Sequence, residues 1–60
     1  MKRKEIMKKL AAASCTFEEG GNHTRVYKDG RFVAVVGRHR EIADRMVRVI
    51  ERQTGVKLLP

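Results

Sequence analysis

Asp29-Gly30 is the dipeptide that most constrains what this chain can fold into. It stands between two runs rich in β-branched and aromatic residues, 23–28 and 31–36. A two-residue type I′ turn needs positive φ at both central positions, and Asp-Gly supplies it. The pair therefore predicts a tight hairpin with a defined register. Lys28 then faces Arg31, Tyr27 faces Phe32, Val26 faces Val33, Arg25 faces Ala34, Thr24 faces Val35 and His23 faces Val36. Alternation sorts these residues onto two faces. Thr24, Val26, Val33 and Val35 share the face expected to be the core, joined by Cys15 and Phe17 from a preceding strand. His23, Arg25, Tyr27, Phe32, Ala34 and Glu18 fall on the other, open face.

The flanks complete the fold class. Ile6, Met7, Leu10 and Ala13 recur at helical spacing, predicting an amphipathic helix over residues 2–13. From Ser14 the period becomes two, as in a half-buried strand, and Gly20-Gly21-Asn22 is a turn signal. Gly37 closes the sheet. A second helix is expected to begin between Arg40 and Asp44 and to end near Thr54, with Gly55 as its cap. Its expected apolar stripe is Ile42, Met46, Val49 and Ile50, and Glu41–Arg45 and Asp44–Arg48 are expected i,i+4 ion pairs. Residues 56–60 read as a short tail. The order is α-β-β-β-α, an α+β fold with a three-stranded antiparallel sheet and two helices on one face.

Size limits the function classes. The chain has 60 residues, expected to form one domain over 1–60. Below roughly 70–80 residues a single core supplies only about 3–5 kcal/mol. Cys15 is the only cysteine, so no disulfide closes within the chain. With His23 and His39 it gives too few ligands for a structural zinc site. Extra stability is expected from a partner. A lone cysteine fits a reducing, cytoplasmic setting. Lys8 and Lys9 interrupt the apolar residues near the start, so neither a signal peptide nor a membrane span is expected. The formal charge is +7, which points to a polyanion. It is uneven: +4 over residues 1–9, −1 over 10–29 and +4 over 30–60.

Four motifs in order carry a family resemblance. Gly21-Asn22-His23 is followed by Tyr27-x-Asp29-Gly30, then by Val35-Val36-Gly37-Arg38-His39-Arg40-Glu41-Ile42, then by Arg48-Val49-Ile50-Glu51-Arg52-Gln53-Thr54-Gly55. Together they resemble the HicA family, small toxins of bacterial and phage toxin–antitoxin pairs, over almost the whole chain. The resemblance implies a double-stranded-RNA-binding-domain-like fold. It also implies a metal-independent endoribonuclease that cleaves mRNA, needs no cofactor and is neutralised by a HicB-type antitoxin covering its active face. The family's single catalytic histidine falls on His23. Glu18 and Glu19 sit where relatives often carry Arg or Gln.

The chemistry of the residues fits that expectation. Imidazole is the side chain best suited to proton transfer at cellular pH, and that is the role expected of His23. Attack by an RNA 2′-hydroxyl on its own phosphate needs a base to remove the proton, and DNA lacks that hydroxyl. Glu18 is expected across the strand pair from His23, as an orienting carboxylate or an ordinary surface charge. His39 is either a second acid or phosphate donor, or a structural histidine before the second helix. Arg25, Lys28, Arg31 and Arg38 are candidate phosphate contacts, Arg25 foremost because it shares the face of His23. Tyr27 and Phe32 can stack on bases, brace the hairpin or receive an antitoxin. The rival functions are a non-catalytic RNA-binding module and a degenerate toxin acting only through protein interaction.

Overall fold

The computed structural model describes all 60 residues. Its order is α1 (Arg3–Ala12), β1 (Thr16–Glu19), β2 (His23–Lys28), β3 (Arg31–Gly37) and α2 (Asp44–Thr54). The sheet is antiparallel throughout, in the order β1-β2-β3. Asp29 and Gly30 both take positive φ, 53° and 75°, as a type I′ turn requires. Ser14 also turns left-handed, at φ 68°, and its N–H reaches the Ala11 carbonyl. That ends α1 and delays the first strand to Thr16. Gly55, at φ 74°, closes α2 with a bond from its N–H to the Glu51 carbonyl.

The core is one cluster. Ile6 and Leu10 of α1, Val26, Ala34 and Val36 of the sheet, and Val47 and Ile50 of α2 are its buried members, with Cys15, Ile42 and Leu58. Both helices therefore cover one sheet face, and the other is open to water. Two apolar expectations for α2 change. Val47, not Met46, is the core residue, and Val49 is only half-buried. The helix begins at Asp44, so Ile42 reaches the core from the extended segment before it. Glu41 is outside the helix for the same reason, and neither expected i,i+4 pair forms; Arg48 instead approaches Glu51 at 3.9 Å.

The hairpin register departs from expectation at one point. Tyr27 pairs with Phe32, but Val26 pairs with Ala34. Val33 is the extra residue of a β-bulge, which shifts every later partner by one. Arg25 faces Val35, Thr24 faces Val36 and His23 faces Gly37. Because side chains alternate, the shift exchanges faces. Ala34 and Val36 become core residues, and Val35 joins the open face at 39% exposure. Val33 stays half-buried against the core.

Both chain ends are tied in. Lys2 bridges Glu41 antiparallel, with Arg3 N–H donating to the Arg40 carbonyl at 2.9 Å and Ile42 N–H to the Met1 carbonyl at 2.8 Å. The segment after α2 folds back over the helix. Leu58 is fully buried, and its N–H and that of Leu59 donate to Glu51 Oε2 at 2.8 Å each. No helix is long and apolar enough to cross a membrane.

Candidate functional site

His23 opens β2 just after the Gly20-Gly21-Asn22 turn, and its side chain is exposed. The turn is held by Gly20 N–H donating to the His23 carbonyl at 2.8 Å. A Cβ at Gly20 would lie 3.0 Å from that carbonyl, so only glycine closes the turn without a shift. His23 and Val35 form a shared wall between two depressions. One, of about 460 Å³, lies against the β3–α2 connection and is also lined by Gly37, His39, Glu41 and Met46. The other, of about 420 Å³, is lined by the 20–22 turn and Arg25. Both are open to solvent.

His39 thus joins His23 on one groove. Gly37 makes this possible. It is the cross-strand partner of His23, and a Cβ on it would come 3.4 Å from His39 Cδ2. No side chain at position 37 stands between the strand end and the His39 ring. No group of three or more His, Cys, Asp or Glu side chains converges as a shared metal site would need.

The other expected residues divide. Arg25 flanks His23 on the open face, but its Nη1 donates to Glu18 Oε1 at 3.0 Å. Tyr27 Oη donates to the same oxygen at 3.2 Å. The Arg25 hydrogen bond, and then that of Tyr27, hold the Glu18 carboxyl below its ordinary value. Glu18 is therefore opposite Arg25 rather than His23, which corrects its expected place across from the histidine. The reason is loop length: Gly20 bonds back to His23, so only Gly21 and Asn22 form the turn, and Glu18 pairs two positions further along β2 than His23.

Arg38 is likewise occupied. Its Nη2 donates to Glu19 Oε1 at 2.6 Å and to the Gly20 carbonyl at 3.0 Å. It braces the turn before His23. Lys28 and Arg31 face each other beside the far turn and make no ion pair. Five residues of strand put Lys28 about 17 Å from His23, too far to share one phosphate. Tyr27 and Phe32 form a tilted pair with ring centroids 5.8 Å apart. Phe32 remains 58% exposed.

One polar network was not foreseen. Arg3 of α1 donates Nε to the Gly37 carbonyl at 3.1 Å and Nη2 to Thr24 Oγ1. Thr24, fully buried, donates in turn to Glu19 Oε1 at 2.7 Å. Glu19 also holds Arg38. The network ties α1 to all three strands next to His23. A signal existed in sequence: Thr24 is a hydroxyl on the expected core face and needs a partner there. No protein-family model matches the chain, and no curated protein or solved structure matches it at a significant level.

Proposed function

We propose that this chain is a HicA-like toxin, a metal-independent endoribonuclease that cuts mRNA and is neutralised by a HicB-type antitoxin. The observation that carries the reading is the placement of His23. It is exposed on an open sheet face, shares one groove with His39 and adjoins Arg25 in a second depression. In this reading His23 takes the proton from a 2′-hydroxyl. The 2′-oxygen then forms a bond to the neighbouring phosphorus while the bond to the 5′-oxygen breaks, and the departing 5′-oxygen takes a proton from water to leave as a hydroxyl. His39 donates an N–H to the phosphate from the other side of the groove. Arg25 adds positive charge once RNA draws it from Glu18, and Tyr27 and Phe32 offer rings for unpaired bases.

The test is induced expression of the wild-type chain and of His23→Ala, read by growth and by RNA integrity. The side chain is exposed, so the variant keeps the fold, checked by circular dichroism. Loss of cleavage and of growth arrest supports the reading, and a variant that still cuts RNA sinks it.

A second reading has its own observation. Glu18 and Glu19 occupy Arg25 and Arg38, while Phe32 and Val35 stay exposed on the open face. This favours a chain that acts through a protein partner alone. It predicts no measurable RNA affinity at physiological salt, together with a tight complex with the antitoxin.

A further inference from the structure

Lys2, Arg3, Lys4 and Arg40 line a depression of about 230 Å³ with no apolar residue in its wall. Three come from the start of α1 and one from the connection before α2. The backbone bridge between Lys2 and Glu41, and the bond from Arg3 N–H to the Arg40 carbonyl, bring them together. Only Arg3 has side-chain partners, the Gly37 carbonyl and Thr24. Lys2, Lys4 and Arg40 are exposed and make no ion pair or side-chain hydrogen bond, and Glu5 pairs with none of them. Like charges held this close repel one another, so the arrangement costs the free protein energy that a bound anion would recover.

We propose that this cluster is a binding site for the phosphodiester backbone of a nucleic-acid strand, the same strand that passes His23. Continuity with the groove supports this ligand. Arg40 lines the cationic depression and its neighbour Glu41 lines the groove of His23 and His39. Arg3 links the two, because it donates to the carbonyl of Gly37, the residue opposite His23. A wall of four cationic side chains with no apolar residue among them suits a phosphate backbone rather than a base or a peptide side chain. The cluster also supplies the unpaired charge that Arg25 and Arg38 lack. The choice of RNA as the strand rests on the function proposed above; the site itself does not require cleavage.

The experiment measures binding of a single-stranded 2′-O-methyl RNA oligonucleotide, which cannot be cut through a 2′-hydroxyl, by fluorescence anisotropy over a range of salt. The wild type is compared with Lys2→Gln/Lys4→Gln/Arg40→Gln and with a control of equal charge loss, Arg45→Gln/Arg52→Gln/Lys57→Gln. Each phosphate neutralised on a single strand contributes about 0.7 to the slope of log affinity against log salt. The cluster variant is expected to lose a slope of about 2, Arg40→Gln alone about 0.7, and the control much less. Equal losses in cluster and control would reduce the effect to net charge and overturn the site, as would a wild type that does not bind. Ordinary RNA, assayed in parallel, keeps the two proposals apart. Salt-dependent binding lost only in the cluster variant, without cleavage by the wild type, upholds the site and defeats the nuclease. Cleavage by the wild type with unchanged binding by the cluster variant defeats the site alone.

Discussion

His23 stands directly opposite Gly37, a residue with no side chain, rather than opposite Val36. The bulge at Val33 creates this relationship, and it has two consequences. Val36 is released into the core, where it is fully buried. The space across from the imidazole is left for His39, which reaches it from two residues further along the chain.

Substitution at Gly37 should therefore separate stability from groove shape. Its φ is not left-handed, and an added Cβ meets only His39 Cδ2, at 3.4 Å. Gly37→Ala is expected to be neutral or to stabilise by up to about 1 kcal/mol, because glycine in a strand is entropically costly. Gly37→Val adds branches toward the ring and should displace it. Thermal unfolding would change little, while the imidazole resonances of His39 shift and RNA cleavage falls. Unchanged His39 resonances in the valine variant would refute the contact.

Glu18 is a restraint on the positive charge beside His23. Its folded pKa is depressed, so the contacts to Arg25 and Tyr27 are intact above the ordinary carboxylate range and are lost as pH falls through the lowered value. Glu18→Gln imitates that release at neutral pH. It should strengthen RNA binding and steepen the salt slope by roughly 0.7, one more phosphate contact. Asp29→Asn, at the far turn where Asn-Gly also closes a type I′ turn, controls for the added charge. Equal effects of the two substitutions would show that Arg25 gains nothing from its release.

Phe32 separates bracing of the hairpin from recognition. Its ring pairs with Tyr27 across the strands yet is mostly exposed. An aromatic cross-strand pair contributes about 0.5–1.5 kcal/mol. Phe32→Ala should cost no more than that in stability. A base stacked on the ring is worth about 1–3 kcal/mol, so RNA affinity would fall roughly 5- to 150-fold. If affinity for RNA stays constant while binding of an antitoxin collapses, the ring belongs to the protein interface.

The sequence carries the element order because each boundary has its own chemical mark. Asp29-Gly30 sets the turn and Gly55 stops α2, while the change from helical to alternating spacing marks where α1 gives way to strand. The register of β3 is not legible in the same way. Residues 32–36 read Phe-Val-Ala-Val-Val, and every one of them suits either face. Which of them faces inward is decided by packing in a core whose other members, among them Ile6, Leu10 and Ile50, lie elsewhere in the sequence. The same limit applies to charge. Arg25 and Arg38 look like free phosphate contacts until the tight turn at Gly21-Asn22 places Glu18 and Glu19 against them. Arg3, which looks like one more basic residue on a helix, proves to brace the strand end opposite His23.

The segment after α2 gives the last prediction. Residues 56–60 look like a tail, yet Leu58 is fully buried in the core, and Lys9 Nζ donates to its carbonyl at 2.9 Å. Removing a buried leucine side chain costs about 2–5 kcal/mol. A domain of this size has only about 3–5 kcal/mol to lose, so Leu58→Ala should be largely unfolded without a partner. Glu51 fixes the same segment, and the Leu59 and Leu58 N–H groups hold its carboxyl below the ordinary range. Because that pKa is depressed in the folded state, its stabilising effect is complete above the unfolded value. It is lost as pH falls below the ordinary carboxylate range and through the folded value. Melting temperature measured against pH should drop in acid for the wild type. Glu51→Gln should melt lower at neutral pH and show a shallower acid drop. Identical acid slopes would mean that Glu51 does not hold Leu58 in place.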